Sequence, residues 1–321
     1  MTLTEEGLVP VPGLLSRWVR LGNGALAHYM TAGESGPPVI QLHGGIQGSS
    51  GSAGWRFMAP FLGQNGFRVY APDQPGFGHA DTDPQYHPVY GGVSHSDFID
   101  AFATAVGLDR FHLAGNSMGA DNTIQYVLDH PERVISFILI ATMKVGDNVP
   151  DDKQVGPKLT DMAQFDGTAR SMGEMITPIM YRPSAVPQEL LEMRAMAANR
   201  QKDSYEAGRK GRELLRTDPV LNARFTTKDR FSKTAVPGIY LYGMDDVIAP
   251  VENAYNQEDT LPNIQFFYPE ECGHQGQTDQ PDMFNQVFLE FFRDGKVSRK
   301  TADWAGVSKR RPELPQYVEQ A

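Results

Sequence analysis

Residues 111–120, FHLAGNSMGA, constrain this chain more than any other stretch. Phe111, His112, Leu113 and Ala114 have the texture of a short strand, Gly115-Asn116-Ser117-Met118-Gly119 follows, and DNTIQYVLDH continues as a helix. A strand that turns into a helix over so few residues must hold the central residue at strained dihedrals. Glycines two positions either side then let strand and helix approach each other. Ser117 sits at that apex, and a serine presented in this way is a candidate nucleophile. The rival reading makes Gly115 and Gly119 loop glycines around an unreactive serine. The strand before and the helix after favour the first.

The rest of the composition narrows the classes. The chain has 321 residues, 40% hydrophobic and 21% charged, long enough for one large α/β core with an insertion. A formal charge of −10 disfavours nucleic acid and anionic membrane as partners, yet leaves room for a small substrate bearing a carboxylate, since one arginine can hold it. No apolar run is long enough to span a bilayer, and the opening MTLTEEGLVPVPG has no basic-then-apolar leader, so a cytoplasmic location is expected. The one cysteine, Cys272, excludes an internal disulfide and offers no zinc or iron–sulfur spacing. It reads as a small buried residue rather than a nucleophile. No metal or organic cofactor is expected.

Along the chain, residues 18–33 alternate around Asn23-Gly24, which predicts a hairpin at the antiparallel edge of a sheet. A strand at 39–42 ends in His43-Gly44-Gly45 and a Gly/Ser-rich loop reaching Gly54, which can aim backbone N–H groups into a pocket or serve as a flexible linker. A helix is expected over 55–66, a strand over 67–71 and a helix over 96–106. The continuous apolar run VISFILIAT at 134–142 is what a parallel strand buried on both faces shows. The alternation predicts an α/β fold with a mostly parallel central sheet covered by helices on both faces. From about Lys144 the texture becomes charged and methionine-rich. We read 1–146 as the first part of the core, 147–224 as a helical cap, 225–295 as the second part of the core and 296–321 as a C-terminal extension. The extension either packs on the core, reaches a second copy in a homo-oligomer, or is loose.

A serine hydroxyl needs a base, and the base needs an orienting group. Late in the chain, strand GIYLYG is followed by Asp245-Asp246, and strand IQFFY by Cys272-Gly273-His274. His274 is the histidine placed for the role; His28, His95 and His130 read as surface or edge residues, and His43 belongs to the glycine loop. LHGG at 42–45, DQPGFGHAD at 73–81, GNSMGA at 115–120, CGH at 272–274 and ELLEMR at 189–194 together resemble the α/β-hydrolases, and within them the meta-cleavage product hydrolases, which cleave a carbon–carbon bond in 2-hydroxy-6-oxo-dienoates.

That resemblance implies a Ser117–His274–Asp246 triad, with Asp246 preferred over Asp245 because the family places an aspartate four residues before a proline, here Pro250. It implies Gly45 and Met118 as N–H donors to an oxyanion, with Gly44, Asn116 and Arg194 toward the substrate, Arg194 holding a carboxylate or oxo group. An exposed cap-helix arginine is the other reading of Arg194. Two positions depart from the family: Gln275 replaces a tryptophan, and Phe57 replaces an asparagine after a glycine loop longer than the family's. Both would line the substrate, so esters of aromatic acids remain an alternative. A ligand-binding protein without turnover is a second.

Overall fold

The computed structural model describes residues 2–142, 162–248 and 250–320. The boundary expected at 146 and the first residues of the expected cap, 147–161, lie outside the described residues. β1 (Leu15–Arg20) and β2 (Leu26–Ala32) form the hairpin signalled by Asn23-Gly24, Leu15 lying opposite Thr31 and Arg20 opposite Leu26. Then follow β3 (Pro38–Leu42), α1 (Gly51–Trp55), α2 (Met58–Gln64), β4 (Arg68–Pro72), α3 (Gly92–Ala105), β5 (Phe111–Asn116), α4 (Met118–Asp129) and β6 (Val134–Ile140). Among the described residues, four α-helices lie between β6 and β7 (Gly238–Leu241): α5 (Ala169–Ile176), α6 (Gln188–Arg200), α7 (Lys202–Thr217) and α8 (Pro219–Arg224). The chain continues through α9 (Glu252–Glu258), β8 (Gln265–Phe267), α10 (Gly276–Asp279), α11 (Pro281–Asp294) and α12 (Arg299–Trp304).

The strands form one sheet in the order β1-β2-β4-β3-β5-β6-β7-β8, with β1, β2 and β4 paired antiparallel and the remainder parallel. Period-two alternation sends successive side chains of one strand to opposite faces. On β6, Ile138 and Ile140 enter one apolar layer while Phe137 and Leu139 enter the other; on β7, Ile239 and Leu241 part from Tyr240 in the same way. The first layer is filled by Trp55, Phe284 and Phe288 beneath α1 and α11, the second by Phe102, Tyr126 and Phe231. Each of these side chains is under 2% exposed, and full burial of a phenylalanine is worth roughly 1.5–3 kcal/mol.

The Gly/Ser stretch before residue 55 is helical in its second half. The Ser50 side chain accepts from the Ala53 N–H and opens α1, so the single helix expected over 55–66 becomes two. His28 and His95, expected at the surface or edge, are buried at 0% and 4% exposure, because β2 is covered by the 73–79 turn and α3 lies under α7. The extension packs on the core: Val297 exchanges backbone bonds with Tyr317 and Glu319, Val307 bridges to Phe267, and Arg311 donates to the carbonyls of Glu258 and Leu261. Among the described residues no helix is long and apolar enough to cross a membrane.

Candidate active site

At the end of β5 the chain turns as the glycines require. A Cβ on Gly115 would lie 2.1 Å from the Gly119 carbonyl oxygen, and one on Gly119 would lie 2.2 Å from that of Leu42. Ser117 has φ 54° and ψ −122°, a left-handed conformation that costs a non-glycine residue about 1–3 kcal/mol. Its N–H donates to Ile140 and its carbonyl accepts from Ala120 and Asp121, so the strain is held by β6 on one side and the first turn of α4 on the other.

His274 and Asp246 arrive from the loops after β8 and β7. The His274 Nδ1 donates to Asp246 Oδ2 at 2.8 Å, leaving Nε2 as the atom able to take a proton, and both side chains are at most 6% exposed. Asp246 Oδ1 accepts from the Ile248 N–H at 2.8 Å, which fixes the carboxylate. Asp245 is exposed and turns instead to the Cys272 N–H at 3.3 Å, so the geometry separates the two aspartates. The His274 N–H donates to Ile179, and Asp279 accepts from the N–H groups of Gly273, Tyr181 and Arg182, so the histidine loop is tied to the chain just beyond α5.

Ser117, His274, Gly45 and Met118 line one open cavity of about 840 Å³, together with Met162, Phe165, Met175 and Tyr205 from the segment between β6 and β7. The Met118 side chain lies over Gly45, where any Cβ would come within 2.9 Å of it. Gly44 lies beneath Asn116 and Ser117. The Asn116 amide donates to the His274 carbonyl at 3.0 Å, bracing the serine turn against the histidine loop. His43, from the same glycine run, donates to the Gly44 carbonyl and accepts from the Gln74 N–H; burial pushes its imidazole down to about 4, which keeps it a neutral brace. Cys272 is buried, and burial with three nearby aspartates pushes its thiol well above the ordinary value. The neutral thiol that this favours is a poor nucleophile.

None of the five residues expected toward the substrate is among those lining this cavity; Gly44 and Asn116 lie next to Ser117. Phe57, 40% exposed, precedes α2 with its ring turned out beneath the Arg56 guanidinium, 4.3 Å from the ring centre. Gln275 is buried at the start of α10 and is not among the residues lining the cavity. Arg194 is also outside that wall: it is 2% exposed, packs behind the glycine loop and donates to Ser49 Oγ at 3.2 Å, while its buried Nε has no hydrogen-bond partner. Burial, then the nearby Arg56, lower its guanidinium to about 9. A Cβ on Gly48 would sit 2.3 Å from the Arg194 carbonyl oxygen, so α6 rests directly on that loop. Sequence reasoning missed Tyr205, Arg209, Arg212 and Asp121, which line the cavity from α7 and α4. A cationic face of α7 at 209, 212 and 216 was the available signal. Among the described residues, one trio of side chains could ligate a metal, His28, Asp73 and His79, away from this cavity.

Comparison with known proteins agrees with this architecture. Residues 37–281 match the family described as alpha/beta hydrolase fold. The chain is 28% identical over 273 residues to a 2-hydroxy-6-oxo-6-phenylhexa-2,4-dienoate hydrolase of Burkholderia cepacia, covering 84% of this chain and 91% of that protein. It is 26% identical to a 2-hydroxy-6-oxononadienedioate/2-hydroxy-6-oxononatrienedioate hydrolase of Comamonas testosteroni over the same shares. The structure of the 2-hydroxy-6-oxo-6-phenylhexa-2,4-dienoate hydrolase of Rhodococcus sp. strain RHA1 superposes with a TM-score of 0.71 at 25% identity, covering 87% of this chain and 99% of that one. With its strand order, its strained serine turn and this match over most of its length, the chain belongs to the α/β-hydrolase fold family and is a hydrolase similar to those that act on meta-cleavage products.

Proposed function

We propose that this protein is a serine hydrolase that cleaves the carbon–carbon bond of a 2-hydroxy-6-oxo-dienoate, with Ser117, His274 and Asp246 as its triad. The observation that carries the reading is the strained Ser117 in one cavity with a histidine whose far nitrogen is held by a buried carboxylate. His274 Nε2 takes the Ser117 hydroxyl proton as Oγ bonds to the carbonyl carbon, and the N–H groups of Gly45 and Met118 receive the oxyanion, each worth roughly 3 kcal/mol in comparable sites. Enol-to-keto conversion of the dienoate comes first, so that the electron pair of the breaking C–C bond has a conjugated carbonyl to enter. The departing half leaves protonated, and water, deprotonated by His274, releases the acyl half as a carboxylic acid. Relatives with 26–28% identity over most of the chain support the substrate class.

One observation favours an ester of an aromatic acid instead. Arg194, the arginine that would hold the dienoate, stands outside the cavity wall. Parallel rates on a yellow 6-phenyl dienoate and on an aromatic monoester decide between them. Bleaching of the dienoate no faster than in Ser117→Ala removes the carbon–carbon reading.

A further inference from the structure

Of the two N–H groups assigned to the oxyanion, that of Met118 is held by the helix it opens, α4. That of Gly45 has no such frame. Gly44 and Gly45 carry no side chains, so nothing of their own fixes the direction in which their peptides point. A donor that stabilises a transition state must be aimed before the reaction begins, and here the aim is set from outside the loop.

The Gly44–Gly45 peptide is gripped at its carbonyl end. His43 Nδ1 donates to the Gly44 oxygen at 2.8 Å, and the ring keeps that tautomer because its Nε2 accepts from the Gln74 N–H at 3.0 Å. In a trans peptide the C=O and N–H point opposite ways, so fixing the Gly44 oxygen aims the Gly45 N–H. The next peptide is gripped from α7. The Tyr205 hydroxyl donates to the Gly45 carbonyl at 3.4 Å, its one hydrogen-bond partner among the described residues. Tyr205 and Gly45 line the same cavity as Ser117.

The two grips share a support. Phe77, 3% exposed, stands between the two rings, its centre 5.1 Å from that of His43 and 5.6 Å from that of Tyr205, at interplanar angles of 64° and 88°. The start of α7 is seated on the turn that carries Phe77: Gln201 Nε2 donates to the Ala80 carbonyl at 2.6 Å, and a Cβ on Gly76 would meet the Ser204 and Tyr205 backbone at 3.4 Å. The hydroxyl thus reaches the glycine loop from a fixed base.

We propose that Tyr205 is a positioning residue for the reaction, holding the Gly45 N–H on the oxyanion through the Gly45 carbonyl. This role rests on the serine-hydrolase reading above. A 3.4 Å contact is long for an O–H donor, so losing it costs severalfold in rate and not the hundredfold or more of a lost oxyanion donor.

The test is Tyr205→Phe, which keeps a ring against Phe77 and removes only the hydroxyl. With 4-nitrophenyl butyrate, kcat should fall about fivefold while KM stays within about twofold and the melting temperature is unchanged. Phenylboronic acid, which bonds to Ser117 Oγ and puts a boron-bound oxygen where the oxyanion forms, should lose affinity by the same factor. Equal kcat and equal boronate affinity in the two proteins overturn the proposal. So does a loss confined to KM, which would make Tyr205 a substrate contact. An unaltered protein that neither hydrolyses the ester nor binds the boronate sinks the hydrolase reading, and solvent exchange of the Gly45 amide in glycine-15N-labelled protein then decides for Tyr205: severalfold faster in Tyr205→Phe if the hydroxyl holds the loop, unchanged if it does not.

Discussion

Two regions of this molecule bring a serine, a histidine and an aspartate into one neighbourhood. At the sheet's antiparallel edge, the Ser16 hydroxyl meets His28 Nε2 at 3.0 Å and His28 Nδ1 meets Asp73 Oδ2 at 2.7 Å, as tight a pair as His274 with Asp246 at 2.8 Å. What surrounds them differs. Ser16 lies in the regular strand β1, the Trp18 ring lies 4.8 Å from that of His28, and none of the trio is among the residues lining the cavity that holds Ser117. Asp73 is committed to architecture: Oδ1 accepts from the Gly51 N–H, and Oδ2 from both His28 and the His79 N–H, so one carboxylate joins α1, β2 and the turn after β4. The same three residue types thus make a clamp at one place and, in the function proposed above, a catalytic triad at the other. What the second place adds is backbone strain at Ser117 and a cavity beside it.

The largest effect that can break this contrast is on turnover. Ser117→Ala should lower kcat by at least ~10³-fold, with Ser16→Ala leaving it within about twofold. A fluorophosphonate should mark Ser117 alone, and a label on Ser16 would mean that geometry by itself suffices. Asp246→Asn should cost about 10²–10⁴ in kcat with the fold intact, read by a melting curve beside the rate.

On the structural side the effect moves to stability. Asp73 is fully buried, and despite burial its carboxyl is held down to about 2, chiefly by His28. Asp73→Asn should therefore lose about 3 kcal/mol in chemical denaturation, while the molecules that remain folded turn over normally. An unchanged midpoint would make the clamp ornamental. The pH dependence sharpens the point. Burial lowers His43, His95 and His112 from 6.5 to about 4, 3 and 4, so between pH 6.5 and about 4 the unfolded chain binds protons that the folded chain refuses. Stability should fall steadily across that window as pH drops. Asp73 adds its own loss only below about 3.8, where the unfolded carboxyl is protonated first, and the loss is complete as pH passes about 2. A stability profile flat from pH 6.5 to 4.5 would contradict the burial of those imidazoles. Smallest of all, Ser16→Ala should shift stability by less than ~1 kcal/mol, since one half-buried hydroxyl bond is at stake.

How much of this could be read from the chain depended on whether the signal was local. The serine turn was legible because its glycines answer to neighbours only a few residues away, and β6 because an uninterrupted apolar run has one explanation in a parallel sheet. His274 was legible from its place after the last strand. Asp246 is preferred to Asp245 from its spacing to Pro250 alone; in the structure Asp246 meets His274 Nδ1 while Asp245 turns to the Cys272 N–H. Arg194, Phe57 and Gln275 do not line the cavity that holds Ser117: position in a resemblance says which segment a residue occupies, not what that segment meets. His28 and His95 looked peripheral because the sequence does not reveal that Asp73 and α7 would cover them.

The contact between Gly48 and the Arg194 carbonyl has one more implication. With no room for even a methyl group between α6 and the loop that begins at His43, helix and loop are seated as one block, so any side chain introduced at Gly48 must displace one of them.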